Sequence, residues 1–187
     1  MSGERLSAMI RVFLMLLISI CGFLLSGTWI REQETSIVLL VLHMAGAGQT
    51  YHGEGTSIAV AHGSGGPFVA VLTPACSSWP SVLALISLAL VVPRVSMGRR
   101  LALAISAGMF VFIGNIVRIA ASVAVGLWVG PASLVLFHNF VGSMFGFAYT
   151  FAGFVWMIIL LMPPRGIPLD QPYREGGGES AYVSGAF

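Results

Sequence analysis

No lysine occurs among the 187 residues, and charged residues of every kind make up only 9%. A soluble domain devotes roughly a quarter of its residues to charge so that water can solvate its surface. This shortage therefore excludes an ordinary soluble fold. The basic residues form no stripe interleaved with aromatics, which excludes a nucleic-acid-binding module. Cysteine is nearly absent too, with only Cys21 and Cys76. Their different depths in the apolar pattern argue against a disulfide between them, even in an oxidising exterior. What fills the chain instead is apolar: 57% of residues are hydrophobic and the mean hydropathy is +0.92. The class is an integral membrane protein, long enough for one compact bundle and too short for a separate soluble domain.

Residues 1–162 read as one integral membrane domain, an all-α bundle of about four transmembrane helices. The first span, about 12–30, follows Arg5 and Arg11. That basic-then-apolar order also suits a cleaved signal peptide, but Ile20 stands where a lipoprotein site needs a small residue before Cys21. An uncleaved first helix is the preferred reading. Residues 31–76 form an outer loop. Within it, Ile37 to Ala47 covers only about 16 Å as helix, about half the hydrocarbon core, and reads as an interfacial helix on the outer face. Two short β-prone runs, Ser57–Ala61 and Phe68–Leu72, flank Gly63-Ser64-Gly65-Gly66 and read as a β-hairpin that delivers the chain to Cys76. Three further spans are placed at about 77–92, 101–129 and 134–162, bounded by Pro93-Arg94, Gly130-Pro131 and Pro163-Pro164. The Gly-, Pro- and Glu-containing tail, 163–187, has too few apolar residues to fold and is expected to be a disordered cytoplasmic segment.

The arginines orient this arrangement. With the N-terminus inside, Arg5, Arg11, Arg94, Arg99, Arg100, Arg165 and Arg174 fall on the cytoplasmic side and only Arg31 falls outside. Both termini are then cytoplasmic. Counted at 1.5 Å per residue from the inner ends, Cys76 lies about 24 Å up its helix, Arg118 about 26 Å and His138 about 36 Å before tilt. Against a core of about 30 Å, all three reach the outer third or the outer interface.

Three polar residues at one depth suggest a site. Burying Arg118 in lipid costs at least about 2.5 kcal/mol, so such a residue faces a partner or a wet cavity rather than acyl chains. Asn115 and Ser122 share its helix face. His138 lies on a face with Gly142, Gly146, Tyr149 and Gly153, and Gly142–Gly146 is a GxxxG pattern that lets another backbone approach closely. Cys76 at a helix start meets unpaired N–H groups that favour a thiolate, and a cationic Arg118 would favour it further. Cysteine as nucleophile, histidine as acid/base and arginine as oxyanion donor make a thiol acyl-transfer site.

These residues also carry a resemblance. Ala75-Cys76-Ser77, Asn115-Ile116-Val117-Arg118-Ile119 and Phe137-His138-Asn139-Phe140-Val141-Gly142 resemble the three signature patches of the exosortase/archaeosortase family. Those are multi-pass membrane enzymes described as cysteine transpeptidases. The resemblance runs from about Ser57 to Met162. It implies Cys76, Arg118 and His138 as the catalytic residues, supported by Asn115, Ser77 and Asn139, with no cofactor and no metal. It also implies a substrate: an exported protein with a C-terminal hydrophobic sorting signal, docked beside the third and fourth helices. This would be cleaved at the outer face of the plasma (inner) membrane through a Cys thioester. A lipid, a cell-envelope amine or water would then take the new C-terminus. Many members carry glycine two residues after the cysteine, where this chain has Ser78, and many have about eight spans.

Two other readings differ in class. His43, His52, His62 and Glu54 share the outer loop, but their irregular spacing matches no zinc pattern. A non-enzymatic membrane subunit would use Arg118 as a structural or ion-path charge. Such a subunit should tolerate loss of Cys76 and fail when Gly142 or Gly146 is enlarged.

Overall fold

The computed structural model describes residues 3–61, 66–92 and 95–162. The expectation for the 163–187 tail lies outside these residues, as do Arg94, His62 and the glycine cluster up to Gly65.

The chain is mostly helical, with one small sheet. Helix α1 spans Gly3–Met44 and bends by 59° between Met15–Leu25 and Gly27–Met44. The expected break after Arg31 is not there, and Ile37–Ala47 is no separate interfacial helix but mostly the last turns of α1. The physical reason is local. No glycine or proline interrupts the run from Thr28 to Ala45, and its polar side chains bond back to the helix itself. Thr35 Oγ1 donates to the Arg31 carbonyl, Ser36 Oγ to that of Glu32 and Arg31 Nε to that of Gly27. The helix stops at Gly46, whose φ of 86° is open to glycine without a Cβ penalty.

Strands β1 (Thr50–His52), β2 (Ser57–Val60) and β3 (Phe68–Val71) follow. They form an antiparallel sheet in the order β1-β2-β3, with Thr50 opposite Val60 and Ser57 opposite Val71. The expected hairpin is therefore two strands of a three-stranded sheet. A short 3-10 turn, Pro74–Cys76, leads into α2 (Trp79–Val91), whose Pro80 suits a first helical turn. Helix α3 covers Met97–Val129. Gly130, at φ 118°, turns the chain into α4 (Pro131–Phe137), a π-helical turn (His138–Gly142) and α5 (Ser143–Leu161).

Among the described residues two helices, Met97–Val129 and Pro131–Leu161, are long and apolar enough to cross a membrane, and a bent α1 would make a third. At 13 residues, α2 reaches only about 20 Å, short of a hydrocarbon core of about 30 Å.

Two apolar clusters hold the bundle. One joins the second half of α1 (Val38, Leu42), the sheet (Ile58, Val60) and α3 from Ile116 to Leu127. The other joins α2, the first half of α3 (Ala104, Ala107, Val111) and α5 (Tyr149, Met157). Asn115 lies on α3 between the two. At the opposite end of the bundle, Arg100 donates to the Leu90 carbonyl of α2 and Arg99 to the Leu160 carbonyl of α5. Each arginine there satisfies an orphan C-terminal acceptor.

Candidate active site

Where the two clusters meet, three separate elements deliver polar side chains to one place. The 3-10 turn before α2 carries Cys76, α3 carries Arg118, and the π-helical turn carries His138. Cys76 Sγ lies 3.4 Å from His138 Nε2, and Arg118 Nη2 lies 3.3 Å from the same nitrogen. Cys76 is half-buried and still reachable.

The hydrogen-bond partners assign the imidazole tautomer. A guanidinium only donates, so Nε2 beside Arg118 acts as an acceptor. Nδ1 then carries the proton and faces Ser122 Oγ at 3.5 Å. Ser122 in turn donates to the Arg118 carbonyl at 2.8 Å, which leaves its oxygen free to accept. The single lone pair of His138 Nε2 is thus shared between the Arg118 donor and the thiol. Thr73 Oγ1, 3.1 Å from Sγ, supplies a second polar contact to the sulfur.

A π-helical turn re-aims side chains relative to a regular helix, and His138 is its first residue. The glycines after it have a different use from the one their spacing suggested. A Cβ on Gly142 would sit 3.2 Å from Arg118 Nε, and one on Gly146 would sit 3.6 Å from Arg118 Nη1. The pair makes a niche for the guanidinium. Close helix approach occurs elsewhere, at Gly114 and Gly153, where a Cβ would meet Tyr149 Cγ at 2.8 Å and Val111 Cγ2 at 3.0 Å.

One expectation is corrected. Cys76 was placed to draw on the unpaired N–H groups of a helix start, yet those groups are taken. The Cys76 N–H bonds to the Thr73 carbonyl at 2.9 Å and the Ser77 N–H to Pro74 at 3.4 Å. The Ser78 N–H bonds to Glu34 Oε1 at 2.9 Å and the Trp79 N–H to Ser77 Oγ at 3.2 Å. Cys76 also precedes α2 rather than starting it. Arg118 is the side-chain donor beside His138, and its buried Nε has no hydrogen-bond partner among the described residues.

Asn115 is fully buried. Its Nδ2 donates to the Cys76 carbonyl at 2.9 Å and to Glu34 Oε1 at 3.2 Å, and its Oδ1 accepts from Tyr149 at 3.0 Å. Ser77 caps the entry to α2 rather than touching the thiol. Asn139 is exposed and is not a partner of the three central residues.

Sequence reasoning missed Glu34. It was assigned to an outer loop, but it lies on α1, wholly buried. The available signal was an acid flanked by helix-forming residues just before the apolar run from Ile37. Ser78 is its main partner, with Ser78 Oγ donating at 2.6 Å. Of the histidines expected in the outer loop, His43 lies in the last turn of α1 and its Nε2 meets the Thr50 carbonyl at 2.7 Å, while His52 ends β1 and its Nδ1 meets the Gly53 carbonyl at 2.8 Å. No group of three metal-ligating side chains occurs among the described residues.

Comparison with known proteins adds one finding. A family model described as transmembrane exosortase matches residues 3–160. The match takes in the first helix, which the three signature patches do not reach. No curated protein and no solved structure matches.

Proposed function

The chain belongs to the transmembrane exosortase family, and from that premise we propose that it is a membrane cysteine transpeptidase or endopeptidase acting on C-terminal sorting signals of exported proteins. The observation that supports this most is the 3.4 Å approach of Cys76 Sγ to His138 Nε2, with Arg118 Nη2 3.3 Å from the same nitrogen. General-base transfer needs heavy atoms near hydrogen-bond distance, and free-enzyme contacts are commonly a little long.

The sequence of steps follows from the donors and acceptors. His138 Nε2 takes the thiol proton while the sulfur attacks the scissile carbonyl carbon. An imidazolium N–H can no longer accept from Arg118, so the guanidinium turns from Nε2 to the developing oxyanion. Committed backbone N–H groups leave that task to the side chain. Collapse of the tetrahedral intermediate breaks the C–N bond, and the leaving amine takes the proton from His138 Nε2. A thioester on Cys76 remains. An amine of a lipid or of the cell envelope, or a water, gives its proton to His138, attacks the thioester and releases the thiolate, which regains the proton.

Arg99 and Arg100 lie at the end of the bundle opposite Cys76, as a positive-inside rule requires of an outward-facing site. We place the protein in the plasma membrane with four spans and both termini cytoplasmic, α2 crossing a locally thinned or protein-lined region.

The test is cleavage of an exported reporter bearing a C-terminal sorting signal, in membranes carrying the protein. Cys76→Ser should abolish cleavage at normal abundance, and wild type should yield a hydroxylamine-labile adduct on Cys76. Cleavage that survives Cys76→Ser would sink the reading and favour a non-enzymatic subunit.

A further inference from the structure

Glu34 sits where an apolar bundle has least use for an acid. It is 0% exposed, and its Oε2 has no hydrogen-bond partner among the described residues. Its Oε1, by contrast, accepts from three donors on two other elements: Ser78 N–H at 2.9 Å, Ser78 Oγ at 2.6 Å and Asn115 Nδ2 at 3.2 Å. Burying a carboxyl so incompletely paired is unfavourable, and a well-packed apolar group serves stability as well or better. The arrangement asks for a reason other than stability.

The geometry supplies one. Asn115 uses the same amide nitrogen to hold Glu34 Oε1 and the carbonyl of Cys76 at 2.9 Å. Ser78 is two residues beyond Cys76, so both contacts of Glu34 act on the short turn that presents the thiol. Tyr149 of α5 closes the network on Asn115 Oδ1. One carboxyl oxygen on α1 thus sets the entry to α2 and the amide that grips the Cys76 carbonyl. Among the described residues the polar contacts of the thiol are Thr73 and His138.

We infer that Glu34 is a positioning residue for the nucleophile: through Ser78 and Asn115 it sets the distance from Cys76 Sγ to His138 Nε2. The inference rests on the reading of Cys76 as nucleophile, but one of its tests does not need a substrate. The role belongs to acceptor reach and not to charge. Glutamine keeps the oxygen in place, although one carbonyl oxygen with two lone pairs serves three donors less well. Aspartate keeps the carboxyl group and falls one methylene short.

The experiment uses the full chain in membranes with Cys21→Ala as background. The rate of Cys76 alkylation by a membrane-impermeant reagent is measured beside reporter cleavage, abundance and melting. Glu34→Ala and Glu34→Asp should slow both alkylation and kcat by tenfold to roughly a hundredfold, the loss that about 1 Å of misplacement produces. KM should stay unchanged, and Glu34→Gln should recover most of the rate. Asn115→Ala should match Glu34→Ala, and the double variant should lose no more than the worse single one. If Glu34→Ala does not fold, Ser78→Ala removes one hydrogen bond to the Glu34 oxygen and should still cost roughly threefold or more in rate.

Aspartate rescuing better than glutamine would overturn the inference in favour of a charge role. So would additive losses, or variants that lower abundance but leave the alkylation rate of the folded protein unchanged. The two readings fail separately. Cleavage indifferent to Cys76→Ala sinks the enzyme reading while alkylation still tests Glu34. Cleavage that needs Cys76 but ignores Glu34→Ala, Glu34→Asp and Ser78→Ala sinks the positioning role alone.

Discussion

Enlarging Gly142 by one methyl group tests whether the glycine pair serves Arg118 or helix packing. An added Cβ would stand 3.2 Å from Arg118 Nε and 3.5 Å from the Phe137 carbonyl oxygen. The backbone oxygen is at ordinary contact distance, so the guanidinium is the group that must give, by a few tenths of an ångström. Its Nη2 contact to His138 is already 3.3 Å, near the outer limit for a useful hydrogen bond. Arg118 then loses its grip on the imidazole and its aim at the oxyanion. Complete loss of an oxyanion donor costs roughly 10²–10³ in kcat. A partial displacement should cost about tenfold, equivalent to about 1.4 kcal/mol of barrier. Folding stability should move the other way or not at all, since alanine is favoured over glycine inside helices by about 0.5–1 kcal/mol. Gly146→Ala is the control: its Cβ would be 3.6 Å from both Arg118 Nη1 and the Tyr149 hydroxyl, an ordinary contact. The assay is reporter cleavage normalised to folded protein, with detergent melting alongside. Gly142→Ala should be slow and stable, and Gly146→Ala near wild type. Equal loss of abundance in both would restore the packing explanation, and full activity of Gly142→Ala would refute the niche.

Other perturbations separate chemistry from support. His138→Ala should lower cleavage by roughly 10²–10⁴, the range of general acid–base catalysis, at unchanged abundance; a smaller loss would assign proton transfer elsewhere. Ser122→Ala removes the partner of Nδ1 and should cost up to roughly tenfold in kcat, as one neutral hydrogen bond does, with KM unmoved. Tyr149→Phe leaves Asn115 Oδ1 without a donor in a buried site, so melting should reveal a destabilisation of about 1–3 kcal/mol; a neutral result would mean that water replaces the hydroxyl. Gly153→Leu should reduce abundance rather than specific activity, because Val111 Cγ2 lies 3.0 Å from the added Cβ position.

Composition alone determined that this is a membrane protein, because so few charges cannot solvate a surface of this size. The long apolar runs around Arg118 and after Gly130-Pro131 were legible as helices, since periodicity matters little when nearly every position is apolar. Glycine and proline marked the Gly130 corner, and β-prone residues around glycines marked β2 and β3. Equal depth along neighbouring runs also pointed to Cys76, Arg118 and His138 as neighbours. Three things were not legible. The segment after Arg31 reads as an outer loop with a short separate helix because no apolar run in it is long enough to span, whereas α1 continues unbroken to Met44, with Arg31 bonded to its own helix and Glu34 to Ser78 and Asn115. The register of the GxxxG face was ambiguous, since small residues suit a guanidinium as well as a backbone. Of the N–H groups around Cys76, that of Ser78 is taken by Glu34, 44 positions earlier in the chain, a partner no local reading supplies. Local sequence specifies which groups want partners, while only the packed bundle decides which partners they find.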